Sequence, residues 1–426
     1  MIWVGTILVV IAGLAGAPLF AVVMAAAMLG FLSADIDLAI VAIEVYRIVD
    51  TPLLMVLPLF TYSGYLLAEA KTSERLVDLV QSMFGWLPSG LAMVGFLACA
   101  AFTALTGASG VTIVALGALL LPALVQSGYT EKYALGLVTT SGSLGLLLVP
   151  SVPLILYGIV AQQLDVGEPF TIFELFAAGV LPMLLMLTLL IVWTLWRHRG
   201  GKIPRVAFSR KRLWAALKAA RWELPLPIIV LGGIYSGYFA VSEAAAVTAV
   251  YVTLAEVVLY REVRWRELPK VMLDSMVMVG GILLVLGVAL AFANFLVDAE
   301  VPQKLFDYTQ THIQSKLGFL LLLNIMLLAL GAMLDIFSAL VIVVPLILPV
   351  AVGYGIHPVH LGIIFLANMQ IGYFTPPIGM NLFIASYRFG KPLHELYLAS
   401  WPFMVVLLIA LLLITYVPWI SLVFIR

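Results

Sequence analysis

Residues 145–158 read GLLLVPSVPLILYG, and residues 372–383 read GYFTPPIGMNLF. Both stretches are apolar enough to lie in a membrane, yet each sets a proline five residues after a glycine. Proline lacks an amide donor and clashes with the preceding turn, so a helix entering either stretch is interrupted there. Inside a bilayer such a break frees carbonyls and amides that lipid cannot satisfy, and it must face protein, water or ligand. Freed carbonyls can coordinate a cation, and the positive ends of half-helices can receive an anion.

The surrounding chain suits that setting. Of its 426 residues, 64% are hydrophobic and only 10% charged, with a mean hydropathy of +1.15. A soluble domain is about a quarter charged, so this chain cannot cover a water-facing surface. A soluble enzyme, a disordered chain and a nucleic-acid binder are thereby excluded. Basic and acidic residues balance at 22 each, which implies no bulk attraction to polyanions. A single cysteine, Cys99, rules out a disulfide framework and a cysteine-clustered metal site. No charged residue occurs from Leu79 through Thr130 or from Tyr133 to Leu164. These runs lack the strict alternation of barrel strands, and they indicate an all-α polytopic membrane protein.

Spans or half-spans are expected near 2–32, 50–70, 91–126, 133–161, 172–196, 224–240, 243–260, 272–298, 318–352, 360–387 and 397–424. A crossing takes about 20 apolar residues. The stretches 91–126 and 318–352 are too long for one crossing and short for two, so each suits a re-entrant helical hairpin. The N-terminal stretch has no leading basic region and runs into further apolar sequence, unlike a cleavable signal peptide. Nine basic and no acidic residues lie between Arg197 and Arg221, which predicts a cytoplasmic loop. Arg261, Arg264, Arg266 and Lys270, two spans further on, fall on the same side.

That loop also divides the chain in half. Sliding one half over the other by 227 residues places Pro122 on Pro349, Gly128 on Gly355, Gly145 on Gly372 and Pro150 on Pro377. The blocks LLLP (119–122) and LILP (346–349) coincide, as do GLLLVP (145–150) and GYFTPP (372–377). Four helix-breaking residues in one register indicate an internal repeat, an arrangement with which secondary transporters build midplane sites.

With these stretches, TPLLMVLPLFTYSG (51–64), GWLPSGL (85–91), ALGALLLPALVQSGYT (115–130) and GIYSGYFAVSEAAAV (233–247) follow in an order that resembles the DctM-like large membrane subunit of tripartite ATP-independent periplasmic (TRAP) transporters. The resemblance covers nearly the whole chain. It implies two inverted repeats with re-entrant hairpins and broken helices, in an elevator-type fold of a bacterial or archaeal cytoplasmic membrane. It implies import of an organic acid, coupled to Na⁺ and delivered by a periplasmic DctP-like substrate-binding protein. A separate small four-helix DctQ-like membrane subunit would brace the scaffold. Neither an organic cofactor, a transition metal, a nucleic-acid partner nor a catalytic residue is expected. The implied units are 1–78 (scaffold and arm), 79–165 (transport repeat 1), 166–278 (scaffold with a second arm), 279–390 (transport repeat 2) and 391–426 (final span).

One sodium site per repeat is implied. The first combines the hairpin tip at Thr106, Gly107 and Ser109 with the break at Gly145, Leu148 and Pro150; hydroxyls and carbonyls suit a hard cation. The sequence departs from the family where Ala108 replaces a second hydroxyl and Val149 a proline. The second site combines the tip at Gly331 and Asp335 with Gly372, Thr375 and Pro377. Asp335 is the only formal charge between Leu317 and Tyr387, a costly group at that depth unless it is paired. It acts either toward the cation or as a helix cap. Substrate is expected near Ser141, Ser143, Asn368 and Asn381. With no Arg or Lys in the core, an anion would rely on helix ends, amides and bound Na⁺.

Glu44, Arg47 and Asp50 suggest an amphipathic arm, with Arg264–Met276 as its counterpart, and Ser242–Glu243 marks a helix start. The five histidines receive no ligand role. Rival readings are weaker. There is no His-Glu-x-x-His or phosphate loop, and Asp335 has no embedded acidic companion for aspartyl chemistry. An ion-coupled transporter of the same superfold without a binding protein remains open, as does a channel, although channels gather several copies of one filter.

Overall fold

The structure is a computed structural model describing residues 2–49, 52–199 and 207–425, and among these every regular element is helical. Seven of the described helices are long and apolar enough to cross a membrane, or up to nine if two bent pairs each count as a span.

Each half runs through the same series. A pair of helices (Ile2–Leu14 and Leu19–Ser33; Pro225–Tyr235 and Val241–Thr253) leads into an arm (Ala39–Val49 and Val56–Glu69; Leu268–Asp298). An amphipathic helix follows (Thr72–Phe84; Val301–His312). Next comes a hairpin (Gly90–Thr106 with Ser109–Gln126; Lys316–Met333 with Ile336–Gly353), then an interrupted helix (Glu131–Ser141 with Val152–Gln163; Pro358–Gly372 with Met380–Phe389). A long helix closes each half (Ile172–Arg197; Leu393–Tyr416).

The 227-residue register holds at the level of single hydrogen bonds. Ser109–Gln126, moved by 227, is Ile336–Gly353. Both helices end alike: the Tyr129 amide donates to the Leu124 carbonyl at 3.1 Å, and the Ile356 amide to the Ala351 carbonyl at 3.0 Å. Gly128 and Gly355 sit in left-handed backbone between them. The Ser143 hydroxyl donates to the Gln370 carbonyl at 3.1 Å, across a separation of 227 residues. Equivalent positions of two symmetry-related repeats can touch only near the axis relating them, so this bond marks the pseudosymmetry axis in the buried core.

Several expected boundaries move. The first span is two helices joined at Ala15–Pro18, because Gly16 adopts left-handed backbone and Pro18 cannot extend the preceding helix. Arg264–Met276 is not a separate arm: from Leu268 it is the opening of one 31-residue helix. The side chains of Glu44, Arg47 and Asp50 lie outside the described residues. Helix Thr72–Phe84 runs through the expected boundary at 78/79. Helix Val241–Thr253 starts from Ala240, whose amide donates to the Glu243 carboxylate at 2.9 Å.

One polar cluster joins the halves. The Arg75 guanidinium on helix Thr72–Phe84 meets three carboxylates: Glu223 at Nε, Glu256 at Nη2 (3.1 Å) and Glu262 at Nη1 (2.5 Å). Its plane also covers the Tyr260 ring at 4.0 Å. All three acids come from the second half, so the first amphipathic helix is tied to the second half rather than to its own hairpin alone.

Candidate functional site

The first hairpin turns in two residues. Helix Gly90–Thr106 ends when the Gly107 amide donates to the Thr103 carbonyl at 2.7 Å, and Ala108 is extended before Ser109 starts the return helix. Thr106 is buried and its hydroxyl donates to the Phe102 carbonyl at 2.9 Å. That bond uses the proton and leaves oxygen lone pairs. The Ser109 hydroxyl, also buried, makes no hydrogen bond among the described residues.

The interrupted helix lies against this tip. Glu131–Ser141 gives way to a short 3-10 turn at Leu144–Leu147 and an extended Leu148; after a cis Val149–Pro150 bond, Ser151 caps Val152–Gln163. A Cβ on Gly145 would collide with the backbone of Ala100 and Ala104, and one on Gly107 would lie 3.0 Å from the Val152 side chain. Only glycine permits that approach at 145. Thr103 stitches the two segments, bonding Thr112 at 2.7 Å and donating to the Gly142 carbonyl at 2.9 Å. The Gly145 carbonyl accepts the Leu148 amide at 3.0 Å. No donor reaches the Leu148 or Pro150 carbonyls among the described residues. Leu148 is half-buried and Pro150 buried, and carbonyl oxygens of this kind suit a hard cation.

The second repeat repeats the plan with different chemistry. Asp335 occupies the position equivalent to Ala108 and caps Ile336–Gly353, accepting the Phe337 and Ser338 amides, both at 3.0 Å. The cap role is therefore built, and the carboxylate's remaining oxygen sites stay available. Gly331 and Gly372 meet backbone to backbone: a Cβ on Gly372 would stand 2.6 Å from the Gly331 Cα. The tip is pinned further by the Tyr373 hydroxyl, which accepts the Ile336 amide at 2.8 Å, and by the Gly379 amide, which donates to the Ala332 carbonyl at 2.9 Å. Thr375 donates to the Ile371 carbonyl at 2.8 Å. The Pro377 carbonyl accepts the Tyr397 hydroxyl at 2.6 Å, and the Pro376–Pro377 bond is cis. Pro377 thus has one carbonyl lone pair occupied, unlike its counterpart Pro150, and keeps the other.

The expected substrate residues are fully buried but do not form one cluster of mutual bonds. Ser141 returns its proton to the Leu137 carbonyl at 2.6 Å, and Ser143 spans the repeats to Gln370. Asn368 donates to Asn324 at 2.6 Å in a network that continues to Thr415 and His360. Asn381 reaches the Thr139 carbonyl at 3.3 Å. Three side-chain oxygens here, Asn368 Oδ1, Gln370 Oε1 and Asn381 Oδ1, are buried without a partner. Leaving such acceptors dry and unpaired costs about 1–3 kcal/mol each, so they are natural places for a donor from a ligand or water.

Sequence reading missed Gln370, Asn324, Thr103 and Tyr373. The repeat register contained the signal for Gln370, which lies 227 residues after Ser143. Asn324 was visible as the only amide in an apolar run. The Thr103 and Tyr373 contacts depend on tertiary approach and leave no local mark.

Comparison with known proteins agrees with this architecture. The model of the tripartite ATP-independent periplasmic transporter DctM component matches residues 4–420. The chain is 36% identical over 401 residues to the C4-dicarboxylate TRAP transporter large permease protein DctM of Rhodobacter capsulatus, covering 92% of this chain and 91% of that protein. It is also 36% identical to the protein of the same name from Pseudomonas aeruginosa, with 89% and 88% covered. Among solved structures, the YdaH transporter of Alcanivorax borkumensis superposes with a TM-score of 0.60 over 88% of this chain and 86% of that one. At 19% identity that likeness concerns the fold alone. With a family match spanning nearly its whole length, this chain belongs to the DctM component family of tripartite ATP-independent periplasmic transporters, and it is a transporter permease subunit, not an enzyme.

Proposed function

We propose that this chain is the large permease subunit of a sodium-coupled TRAP transporter that imports an organic acid from an extracytoplasmic substrate-binding protein, working beside a small four-helix membrane subunit. The observation that carries the reading is the doubled arrangement of hairpin tip against interrupted helix. In it Leu148 and Pro150 offer unpaired carbonyls in one repeat, and Asp335 offers a carboxylate in the other. Sodium held at Thr106, Gly107, Ser109, Gly145, Leu148 and Pro150, and at Gly331, Asp335, Gly372, Thr375 and Pro377, supplies the positive charge that the core lacks. The carboxylate binds between the tips, its charge met by sodium and helix ends, with Ser141, Ser143, Asn368 and Asn381 nearby. The C4-dicarboxylate named for the two bacterial relatives supports this substrate class.

Within the units 79–165 and 279–390, the hairpins and interrupted helices (90–163 and 316–389) move together as an elevator against the remaining helices, in an inner membrane with the 197–221 loop cytoplasmic. The test is reconstitution with both partner proteins and measurement of radiolabelled dicarboxylate uptake. Uptake that follows an imposed inward Na⁺ gradient supports the reading; uptake that requires ATP or ignores Na⁺ overturns it.

A further inference from the structure

A second, wholly apolar site lies away from the hairpins. Helices Val56–Glu69, Val241–Thr253 and Leu268–Asp298 leave between them an open groove of about 630 Å³. Leu268, Met272 and Met276 line one wall at four-residue spacing, which puts them on one helix face. That face carries the groove about 12 Å along the helix axis at 1.5 Å per residue. Val250 and Leu254 form the opposite wall, and the Tyr62 hydroxyl closes the floor by bonding Thr253 at 2.9 Å. The floor therefore presents no free polar group to whatever fills the groove.

The mouth has a different character. Trp265 lines it and is 66% exposed, as tryptophan is at membrane–water interfaces. Arg264 and Arg266 flank it in sequence, both are exposed, and neither guanidinium has a carboxylate partner among the described residues. Of the nearby acids, Glu262 pairs with Arg75 and accepts the Lys71 amide, Glu267 accepts the Arg264 amide at 2.8 Å, and Asp274 lies further along the wall helix. An apolar slot lined at one end by exposed Trp265, with two exposed arginines as that residue's chain neighbours, matches an amphiphile with an anionic head and a hydrocarbon tail.

We infer that the groove between helices Val56–Glu69, Val241–Thr253 and Leu268–Asp298 binds an anionic phospholipid, its acyl chain along Leu268, Met272 and Met276 and its phosphate held by Arg264 and Arg266. Under the orientation proposed above, this mouth opens to the cytoplasmic leaflet, where anionic lipid is supplied and basic pockets between helices recruit it. The groove belongs to an arm and its neighbours, outside both hairpins, so the lipid acts on the frame rather than on the cargo.

Native mass spectrometry of the purified full chain with its small subunit, titrated with phosphatidylglycerol or phosphatidylcholine, tests this independently of transport. Phosphatidylglycerol should be retained in preference to phosphatidylcholine. The Arg264→Gln/Arg266→Gln variant should lose that preference by about thirtyfold, from two charges worth about 1 kcal/mol each near the membrane surface. Val250→Trp, which fills the slot from an exposed position, should lower retention of both lipids while the protein's melting temperature without lipid stays unchanged. Equal retention of the two lipids, or a preference that survives the double substitution, overturns the site. So does displacement of the lipid by inorganic phosphate at equal concentration. A photo-cross-linker at Val250 should capture lipid; capture of the small subunit instead assigns the groove to a protein and also overturns it.

Discussion

At Asp335 a helix cap is built and a sodium contact is proposed. Its carboxylate accepts two amides at the start of Ile336–Gly353, and its repeat partner at the first tip is Ala108, which has no side-chain acceptor. Asparagine caps a helix about as well as aspartate, whereas alanine loses about 1 kcal/mol. Asp335→Asn should therefore keep the melting temperature while raising the Na⁺ concentration needed for half-maximal uptake. Asp335→Ala should lower both stability and sodium response. Wild-type sodium titration in the asparagine variant would reduce Asp335 to a cap. Gly372 poses a steric question instead. Alanine there meets the Gly331 backbone, and overpacking of this kind costs about 1–3 kcal/mol. Gly372→Ala should lower the unfolding midpoint, while Gly280→Ala, where nothing lies near an added Cβ, should leave it in place.

At the scale of elements, the tie between helix Thr72–Phe84 and the second half is the least expected feature. Arg75 bonds three carboxylates, of which Glu256 is fully buried and Glu223 nearly so. Removing one partner from a buried ion cluster costs about 3–5 kcal/mol because the remaining charge is stranded. Arg75→Ala should sharply reduce the folded yield in thermal melts, and adding Glu256→Gln should recover part of the loss; no recovery would mean that the carboxylates do not depend on Arg75. Nothing local announced this cluster. Arg75, Glu223, Glu256 and Glu262 lie far apart in the chain and share no motif. Only tertiary approach over a separation of 148 or more residues unites them. The interrupted helices, by contrast, were legible because Gly145–Pro150 and Gly372–Pro377 act on their own backbone. The hairpins were legible from length alone. Their tips, at Gly107–Ala108 and Leu334–Asp335, followed from the resemblance, and the capping of Asp335 was one of two roles its isolation allowed.

For the whole molecule, the repeat explains why so few polar groups suffice. One structural plan used twice places two tips and two breaks around a single axis, marked by the Ser143–Gln370 bond. Around it, Asn368, Gln370 and Asn381 keep unpaired oxygens in an otherwise apolar interior. A core without Arg or Lys needs positive charge to accompany an anion, and the proposed sodium coupling supplies it. Co-transport can be measured without reference to any single residue. In proteoliposomes holding the chain, its small subunit and its binding protein, radioactive sodium entry should accelerate when the dicarboxylate and the loaded binding protein are added outside. Sodium entry that is unchanged by substrate, while the dicarboxylate itself accumulates, would contradict the account.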